Sequence, residues 1–153
     1  MLRISKLTDY ATVIMHCLAV QPGAVLSASE IAHRVHLANP TVSKILKILA
    51  EADLVTSIRG AGGGYKLAQM PQAITIARVI TAVEGQPALT ECAQTSQLCA
   101  QDSVCAIKHN WRAINHFILE VLENLTLADM SRPLSFYPRE KIAQGIINMR
   151  VAE

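Results

Sequence analysis

The stretch PTVSKILKILAEADLVTSIRGAGGGYKLA, residues 40–68, changes its hydrophobic period in the middle and thereby decides the fold. Its first half repeats apolar residues at helical spacing, at Val42, Ile45, Leu46 and Leu49. Its second half alternates from Leu54 to Arg59, as a strand does, and four of the next five residues are glycines. Glycines allow the backbone to form a tight hairpin tip. The stretch therefore predicts a helix followed by a thin β-hairpin, which is the arrangement of a winged helix.

A second short helix is predicted just before this stretch. Ser27 and Glu30 have the spacing of a capping box at the start of SASEIAHRVH. The apolar residues that follow lie on one face of the predicted helix, namely Ala28, Ile31, Ala32 and Val35. Asn39 is expected to cap the next helix, with Pro40 at the first helical position, where its missing N–H costs nothing. Two short helices joined by a tight polar turn predict a helix-turn-helix.

Two more helices are predicted on either side of this unit. Residues 8–20 form a mostly buried helix with Thr8 or Asp9 as its cap, and Cys17 is expected to be a small buried hydrophobic residue in it. Residues 75–84 form a short helix that Gly85 ends.

The longest predicted helix has a narrow apolar seam. Apolar residues recur at alternating intervals of three and four, at Val104, Ile107, Trp111, Ile114, Ile118, Val121, Leu125 and Ala128. Such a seam packs against another helix, which is either the N-terminal helix of the same chain or the same helix of a second copy. We favour a homodimer, because a two-fold protein reads a symmetric DNA site. The tail from Ser131 is predicted as a loop with a last short helix near residues 139–149.

The predicted recognition helix and hairpin have the residue types that contact DNA. Short polar and basic side chains lie on the outer face of the helix, at Thr41, Ser43, Lys44 and Lys47. Arg59 lies at the base of the hairpin, and Gly62 and Gly63 at its tip let the main chain approach a partner closely. Seven Lys and Arg against four Asp and Glu give residues 1–70 a charge of +3, whereas residues 71–153 have −1. An ordinary solvated helix face is the alternative for the helix. A phosphate-binding loop is disfavoured for the glycines, because no helix and no Gly-Lys-Ser/Thr follows them.

The stretch ECAQTSQLCAQDSVCAIKH, residues 91–109, contains Cys92, Cys99 and Cys105 among polar residues that have little to bury. The intervals of six and five residues are wider than the spacing of a zinc knuckle, and iron–sulfur clusters accept such intervals. A [2Fe–2S] cluster needs four ligands, so one must come from another residue type, and His109 is near in sequence. A structural zinc site or a thiol switch remains the alternative.

The composition limits the class of protein. The chain has 153 residues and is 51% hydrophobic, enough for one small domain with an appended element. No apolar run approaches the roughly 20 residues of a membrane span, and no signal peptide is evident, so we expect a cytoplasmic protein without a membrane partner. No C-x-x-C motif, nucleotide-binding fingerprint or Ser/His/Asp arrangement suggests an enzyme or a small-molecule substrate.

The predicted fold is mainly α with a small β wing. It divides into a winged helix-turn-helix domain (1–85), a cysteine loop with a long dimerisation helix (86–130) and a C-terminal tail (131–153).

Several phrases together resemble one family of regulators. LTDYATVIM, SASEIA, the stretch at 40–68 and ENLTLADM are similar to the iron–sulfur winged-helix transcription regulators of the IscR/NsrR type, over roughly residues 1–130. MLRISKLTDYATVI and ALTEC are most similar to the branch that regulates the SUF iron–sulfur assembly system in proteobacteria. The resemblance implies a homodimeric repressor on pseudo-palindromic double-stranded promoter DNA, with a cluster on the three loop cysteines that sets DNA affinity. It also implies that the third helix enters the major groove and that Arg59 reaches the minor groove.

The resemblance offers two candidates for the fourth cluster ligand. IscR-like members have a histidine three residues after the last cysteine, where this chain has Lys108, and His109 lies one step further along. NsrR-like members use an aspartate of a TDY phrase, apparently from the partner subunit, and Asp9 occupies that position here. Asp9 is slightly favoured. A nitric-oxide or redox sensor of the same architecture is the alternative function.

Overall fold

Seven α-helices, a 3-10 turn and one two-stranded antiparallel sheet make up the computed structural model in the residues that it describes, 4–60, 62–94 and 99–132. Along the chain these are α1 (Lys6–Ala19), α2 (Ala28–Val35), α3 (Asn39–Glu51), β1 (Val55–Ile58), β2 (Gly64–Leu67), the 3-10 turn Pro71–Ala73, α4 (Ile76–Glu84), α5 (Glu91–Gln94), α6 (Lys108–Asn124) and α7 (Leu127–Met130). The predicted class, mainly α with a small β wing, is confirmed. None of the described helices is both long and apolar enough to cross a membrane.

The core lies between α1, α2 and α3. The last described helix, α7, completes it. The predicted inner faces of α2 and α3 are confirmed, since Ile31 and all four predicted apolar residues of α3 are buried. Leu127 of α7 is fully buried in the same core. Cys17 packs against this core half-buried, and burial raises the pKa of its thiol.

The wing is the hairpin of β1 and β2. Thr56 pairs with Lys66 and Ser57 pairs with Tyr65 in an antiparallel register. On its other side Tyr65 exchanges two backbone hydrogen bonds with Leu26, at 3.0 and 2.8 Å. Because Leu26 directly precedes the N-cap of α2, this bridge joins the wing to the helix-turn-helix.

The beginning of α1 differs from the prediction that Thr8 or Asp9 caps it. Ser5 is the N-cap, and its hydroxyl accepts a hydrogen bond from the Thr8 N–H at 3.2 Å. Thr8 is 1% exposed and donates its hydroxyl to Glu84, which also accepts the Ser5 N–H at 2.9 Å. The helix therefore starts at Lys6, because a carboxylate from the end of α4 stabilises an earlier first turn.

The cap of α3 was also predicted wrongly. Ala38 is the N-cap and has no side-chain cap bond, whereas Asn39 is already the first helical residue. The Asn39 side-chain amide instead donates to the Ser29 hydroxyl at 3.1 Å. The side chain that was expected to cap its own helix thus joins α3 to α2.

The long helix is shorter than the predicted seam. It begins at Lys108, after Val104 and Ile107, and it ends at Asn124. Leu125 is extended because its carbonyl accepts the Ile76 N–H at 2.8 Å. The prediction that one seam continues to Ala128 is therefore wrong, since the chain turns back into the core and Ala128 belongs to α7. The predicted helix near 139–149 lies outside the described residues.

Candidate DNA interface and cysteine segment

The outer face of α3 is polar and mostly exposed. Ser43, Lys44 and Lys47 are exposed, and Thr41 is half-buried. Lys47 lies 4.0 Å from the Glu51 carboxylate, one turn further along the helix, and both side chains are largely exposed. A solvated pair of this kind contributes little stability, so it leaves Lys47 available to a stronger anion. Because the opposite face of α3 is locked in the core, this polar face keeps a fixed orientation.

The wing presents Arg59 at the end of β1. Arg59 is exposed and forms no ion pair with any of the described residues. Gly62 is exposed with open space around it, whereas a Cβ on Gly63 would lie 2.4 Å from the Ile58 carbonyl oxygen. Gly63 therefore has a structural reason to be glycine, and Gly62 has none within the described chain.

The turn between α2 and α3 adds basic groups that the sequence analysis did not single out. Arg34, His33 and His36 are exposed near the end of α2. His36 has a left-handed backbone, with φ 53°, and its ring centroid lies 6.5 Å from that of His33. The concentration of basic residues in the last turn of α2 was the available signal.

The cysteine segment comprises residues 88–94 and 99–107. Cys92 on α5 is 6% exposed, and Cys99 and Cys105 are half-buried. All three thiols are free. The Cys92 sulfur lies 3.2 Å from the Thr90 hydroxyl.

Two side chains of α6 bind the backbone on either side of the first thiol. The Asn115 side-chain carbonyl accepts the Leu89 N–H at 2.9 Å, and Asn115 is 7% exposed. Arg112 donates its Nε–H to the Cys92 carbonyl at 2.8 Å. The beginning of the cysteine segment is thus held to α6 by polar contacts.

A third contact holds the segment between the second and third cysteines. The Lys108 ammonium donates to the Asp102 carbonyl at 2.6 Å and lies 3.4 Å from its carboxylate. A terminal nitrogen of Arg112 lies 3.5 Å from the same carboxylate. We call Lys108, Arg112 and Asn115 the polar clamp. The sequence analysis missed it, although the intervals of four and three place all three on one helical face.

The two candidates for the fourth ligand lie on different helices. Asp9 is exposed on α1, and His109 is exposed at the start of α6. Lys108, rather than His109, is the residue of that turn that contacts the cysteine segment. In residues 4–60, 62–94 and 99–132, no three His, Cys, Asp or Glu side chains come together as a metal-ion site.

The donor types nevertheless suit an iron–sulfur cluster. Thiolates are the usual ligands of such clusters, and three free thiols occur here in one polar segment. Polar contacts from α6 hold the segment in the parts described, and Cys92 is buried beside them. The three cysteines therefore fit a cluster by their chemistry, while the described arrangement does not enclose an ion.

An apolar stripe lies exposed near the cysteine segment. Val104 is 74% exposed, Ile107 55%, and Trp111 and Ile114 38% each. We use the term apolar stripe for these four residues. Exposed apolar patches often mark interaction surfaces in soluble proteins, so these four residues are candidates for one.

Comparison with known proteins identifies relatives over most of the chain. Residues 4–133 match the Rrf2 family, described as an iron-dependent transcriptional regulator. The regulator IscR of Sodalis glossinidius is 31% identical over 130 residues, which cover 84% of this chain and 78% of that protein. The regulator NsrR of Bacillus subtilis is 29% identical over 131 residues, which cover 84% of this chain and 90% of that protein.

The fold comparison gives the same result. The structure of CymR, the global cysteine regulator of B. subtilis, superposes with a TM-score of 0.69 at 34% identity. The match covers 85% of this chain and 96% of that one.

Proposed function

Because this chain belongs to the Rrf2 family of transcriptional regulators, we propose that it is a homodimeric repressor whose promoter affinity is set by an iron–sulfur cluster. Its proposed targets are iron–sulfur assembly genes of the SUF type, and its proposed location is the cytoplasm. The observation that carries the DNA-binding part is the combination of an exposed polar face on α3 with an exposed Arg59 on the wing that forms no ion pair with the described residues.

In this proposal α3 reads the major groove. Ser43, Lys44 and Lys47 face outward, with Thr41 at the start of the helix, so that the first two turns meet base edges and phosphates. Arg59 enters the minor groove, where the potential of the DNA is most negative. The tip glycines Gly62 and Gly63 permit the wing backbone to approach the phosphates.

A matched pair of variants tests this interface. Arg59→Ala should weaken binding to duplex promoter DNA about tenfold or more and lower the salt dependence of affinity. Arg132→Ala removes the same charge from an exposed position outside α3 and the wing, two residues after the end of α7, and should leave affinity nearly unchanged. Equal affinities of the two variants in fluorescence anisotropy at moderate salt would remove Arg59 from the interface.

The proposed dimer buries the apolar stripe against a second copy. Two symmetric protomers would present two α3 helices to a pseudo-palindromic site. Val13 of α1 and Ile4, which precedes the N-cap of that helix, are exposed and add apolar surface that a partner would cover.

Cys92, Cys99 and Cys105 are the residues that would hold the cluster, with Asp9 as the proposed fourth ligand and His109 as the alternative. Two observations support Asp9. Ser5 caps α1, so the Asp9 carboxylate is not needed there, and Lys108 occupies the position on α6 that faces the segment. When bound, a [2Fe–2S] cluster supplies metal–thiolate bonds and redox chemistry that a non-cysteine ligand tunes.

The fold supports a route from this segment to the DNA reader. The polar clamp holds the segment at the N-terminal end of α6, and the other end of α6 returns to the winged domain through the Leu125–Ile76 hydrogen bond. Ordering of the cysteine segment would thus bias where α6 leaves the domain, and with it the spacing of the two α3 helices in the dimer.

The cysteine assignment is tested by two alanine variants. Cys99→Ala should lose the visible chromophore of the anaerobically reconstituted protein. Cys17→Ala removes the thiol that packs beside the core, outside the cysteine segment, and should retain it. Equal spectra would contradict the three-cysteine site, and zinc in place of iron would favour a structural metal.

A further inference from the structure

The backbone on both sides of Cys92 is bound by neighbouring turns of α6. The Leu89 N–H, three residues before the thiol, donates to Asn115 at 2.9 Å. The carbonyl of Cys92 itself accepts from Arg112 at 2.8 Å. Two hydrogen bonds of normal length, one before Cys92 and one at its own carbonyl, hold the backbone that carries this thiol against α6.

Asn115 is the buried polar residue of α6. It is 7% exposed, and no buried side-chain nitrogen or oxygen of the described residues lacks a partner. A buried amide is costly when its hydrogen bonds are lost, so the register that brings the Leu89 N–H to Asn115 is favoured over one that leaves this side chain without its partner. Buried polar pairs of this kind can specify register, as single buried asparagines do in coiled coils.

Arg112 joins the two described parts of the cysteine segment. Its Nε–H binds the Cys92 carbonyl, and a terminal nitrogen of the same guanidinium lies 3.5 Å from the Asp102 carboxylate. Asp102 lies between Cys99 and Cys105 in the chain and is also bound by Lys108. One planar, rigid group therefore contacts the segment before the second cysteine and after it, which a lysine could not do.

We propose that Arg112 and Asn115 are positioning residues, which dock the cysteine segment on α6 in a single register before any metal is bound. The docking requires no cluster, because every contact that defines it lies between groups of the chain itself. The inference rests on the proposed function in one respect only, namely that the docked thiols receive a cluster. A pre-docked segment would retain its cluster longer, since less backbone order is lost on release and regained on binding.

The first experiment uses the full-length chain without metal. Asn115→Leu removes the acceptor at similar volume and without a change of charge, so hydrogen exchange of the Leu89 amide should accelerate on the order of tenfold. Asn115→Asp keeps a side-chain oxygen that accepts the same N–H and should restore protection. His116→Ala, at the next and exposed position, is the control. Unchanged exchange in Asn115→Leu would overturn the proposal.

The second experiment measures the thiol and does not depend on Asn115. Arg112→Gln should increase the alkylation rate of Cys92 several-fold relative to Cys17 in the same molecule, because the Cys92 backbone is released. Arg112→Lys keeps the charge but cannot span the Cys92 carbonyl and the Asp102 carboxylate, so it should behave like Arg112→Gln. Wild-type rates in both Arg112 variants would show that the guanidinium does not position the segment.

The third measurement separates this inference from the proposed function. After anaerobic reconstitution, the rate of iron release to a chelator should rise in Asn115→Leu and return towards the wild-type rate in Asn115→Asp. If wild-type protein takes up no iron, the cluster proposal fails, while the exchange and alkylation results still decide the clamp. If the protein takes up iron but Asn115→Leu and Asn115→Asp release it at the same rate, the clamp does not control how long the cluster is retained.

Discussion

The wing depends on one close approach of two backbones, and Gly64→Ala should break it. A Cβ on Gly64 would lie 2.4 Å from the Leu26 carbonyl oxygen and 2.9 Å from the Ser27 nitrogen. Both are backbone atoms: the Leu26 carbonyl belongs to the bridge with Tyr65, and the Ser27 N–H belongs to the capping box of α2, where it donates to Glu30. The clash therefore cannot be relieved by rotating a side chain, and either the wing or the start of α2 must move.

The cost follows from these contacts. Overpacking of this kind costs about 1–3 kcal/mol, and the two Leu26–Tyr65 hydrogen bonds contribute about 1 kcal/mol each. We therefore expect Gly64→Ala to lower the free energy of unfolding by about 3–5 kcal/mol if both hydrogen bonds are lost. Gly62→Ala is the control, because a Cβ there meets nothing within 4 Å, and it should change stability by less than about 0.5 kcal/mol.

Urea unfolding followed by circular dichroism compares the two variants. If Gly62 approaches DNA as proposed, its variant should lose promoter affinity while its stability stays that of the wild type. Gly64→Ala should lose both, since the wing and α2 are displaced together. Equal unfolding free energies for the two variants would refute the reasoning.

Three further results are expected. Ile114→Asp puts a charge on a side chain that is 38% exposed in the protomer, so it should leave the fold intact and yield monomers in sedimentation; a dimer would show that the apolar stripe is not the interface. Hydrogen bonds, led by the one from the Thr8 hydroxyl, lower the pKa of Glu84, so this carboxylate stabilises the fold above its unfolded pKa of about 4.3 and less as pH falls through the lower folded value. Glu84→Gln should therefore flatten the acid side of the melting-temperature profile, and a profile parallel to the wild type would contradict the assignment. Asp9→Ala should release iron faster than His109→Ala after reconstitution, and the reverse order would make the histidine the fourth ligand.

Local signals in the sequence were sufficient for much of the fold. The Ser27–Glu30 capping box is present, with bonds in both directions between side chain and backbone. The helical period of α3 led to a helix that the structure contains, because the period reflects which face meets the core. The two strands of the wing are also present, although burial does not alternate along β1, where Val55 is buried and Thr56 and Ser57 are both exposed.

The errors came from contacts between positions far apart in the chain. Glu84 stabilises the first turn of α1 from 79 residues away, and no local pattern near Ser5 indicates that partner. The end of α6 is set by a backbone bond from Ile76 to Leu125, so a sequence period that continued through Leu125 could not predict it. An element boundary that depends on such a partner is not encoded in its own residues.

The candidate site shows the same division. Residue type and spacing singled out the three cysteines and the outer residues of α3, because a thiol can be recognised as a metal ligand, and a lysine as a phosphate ligand, from the residue type alone. The polar clamp was not predicted, because an asparagine that accepts a hydrogen bond from a backbone N–H 26 residues away has no signature in the sequence. Only the fold brings the Leu89 amide to Asn115.

The central claim is that the cysteine segment makes this DNA-binding protein a cluster sensor. The most direct test is the visible absorption spectrum of anaerobically purified protein, together with iron and sulfide analysis. We expect a coloured protein with about two irons and two sulfides per chain. A colourless protein that remains free of iron after reconstitution would contradict it and would leave a winged-helix regulator whose thiols serve another purpose.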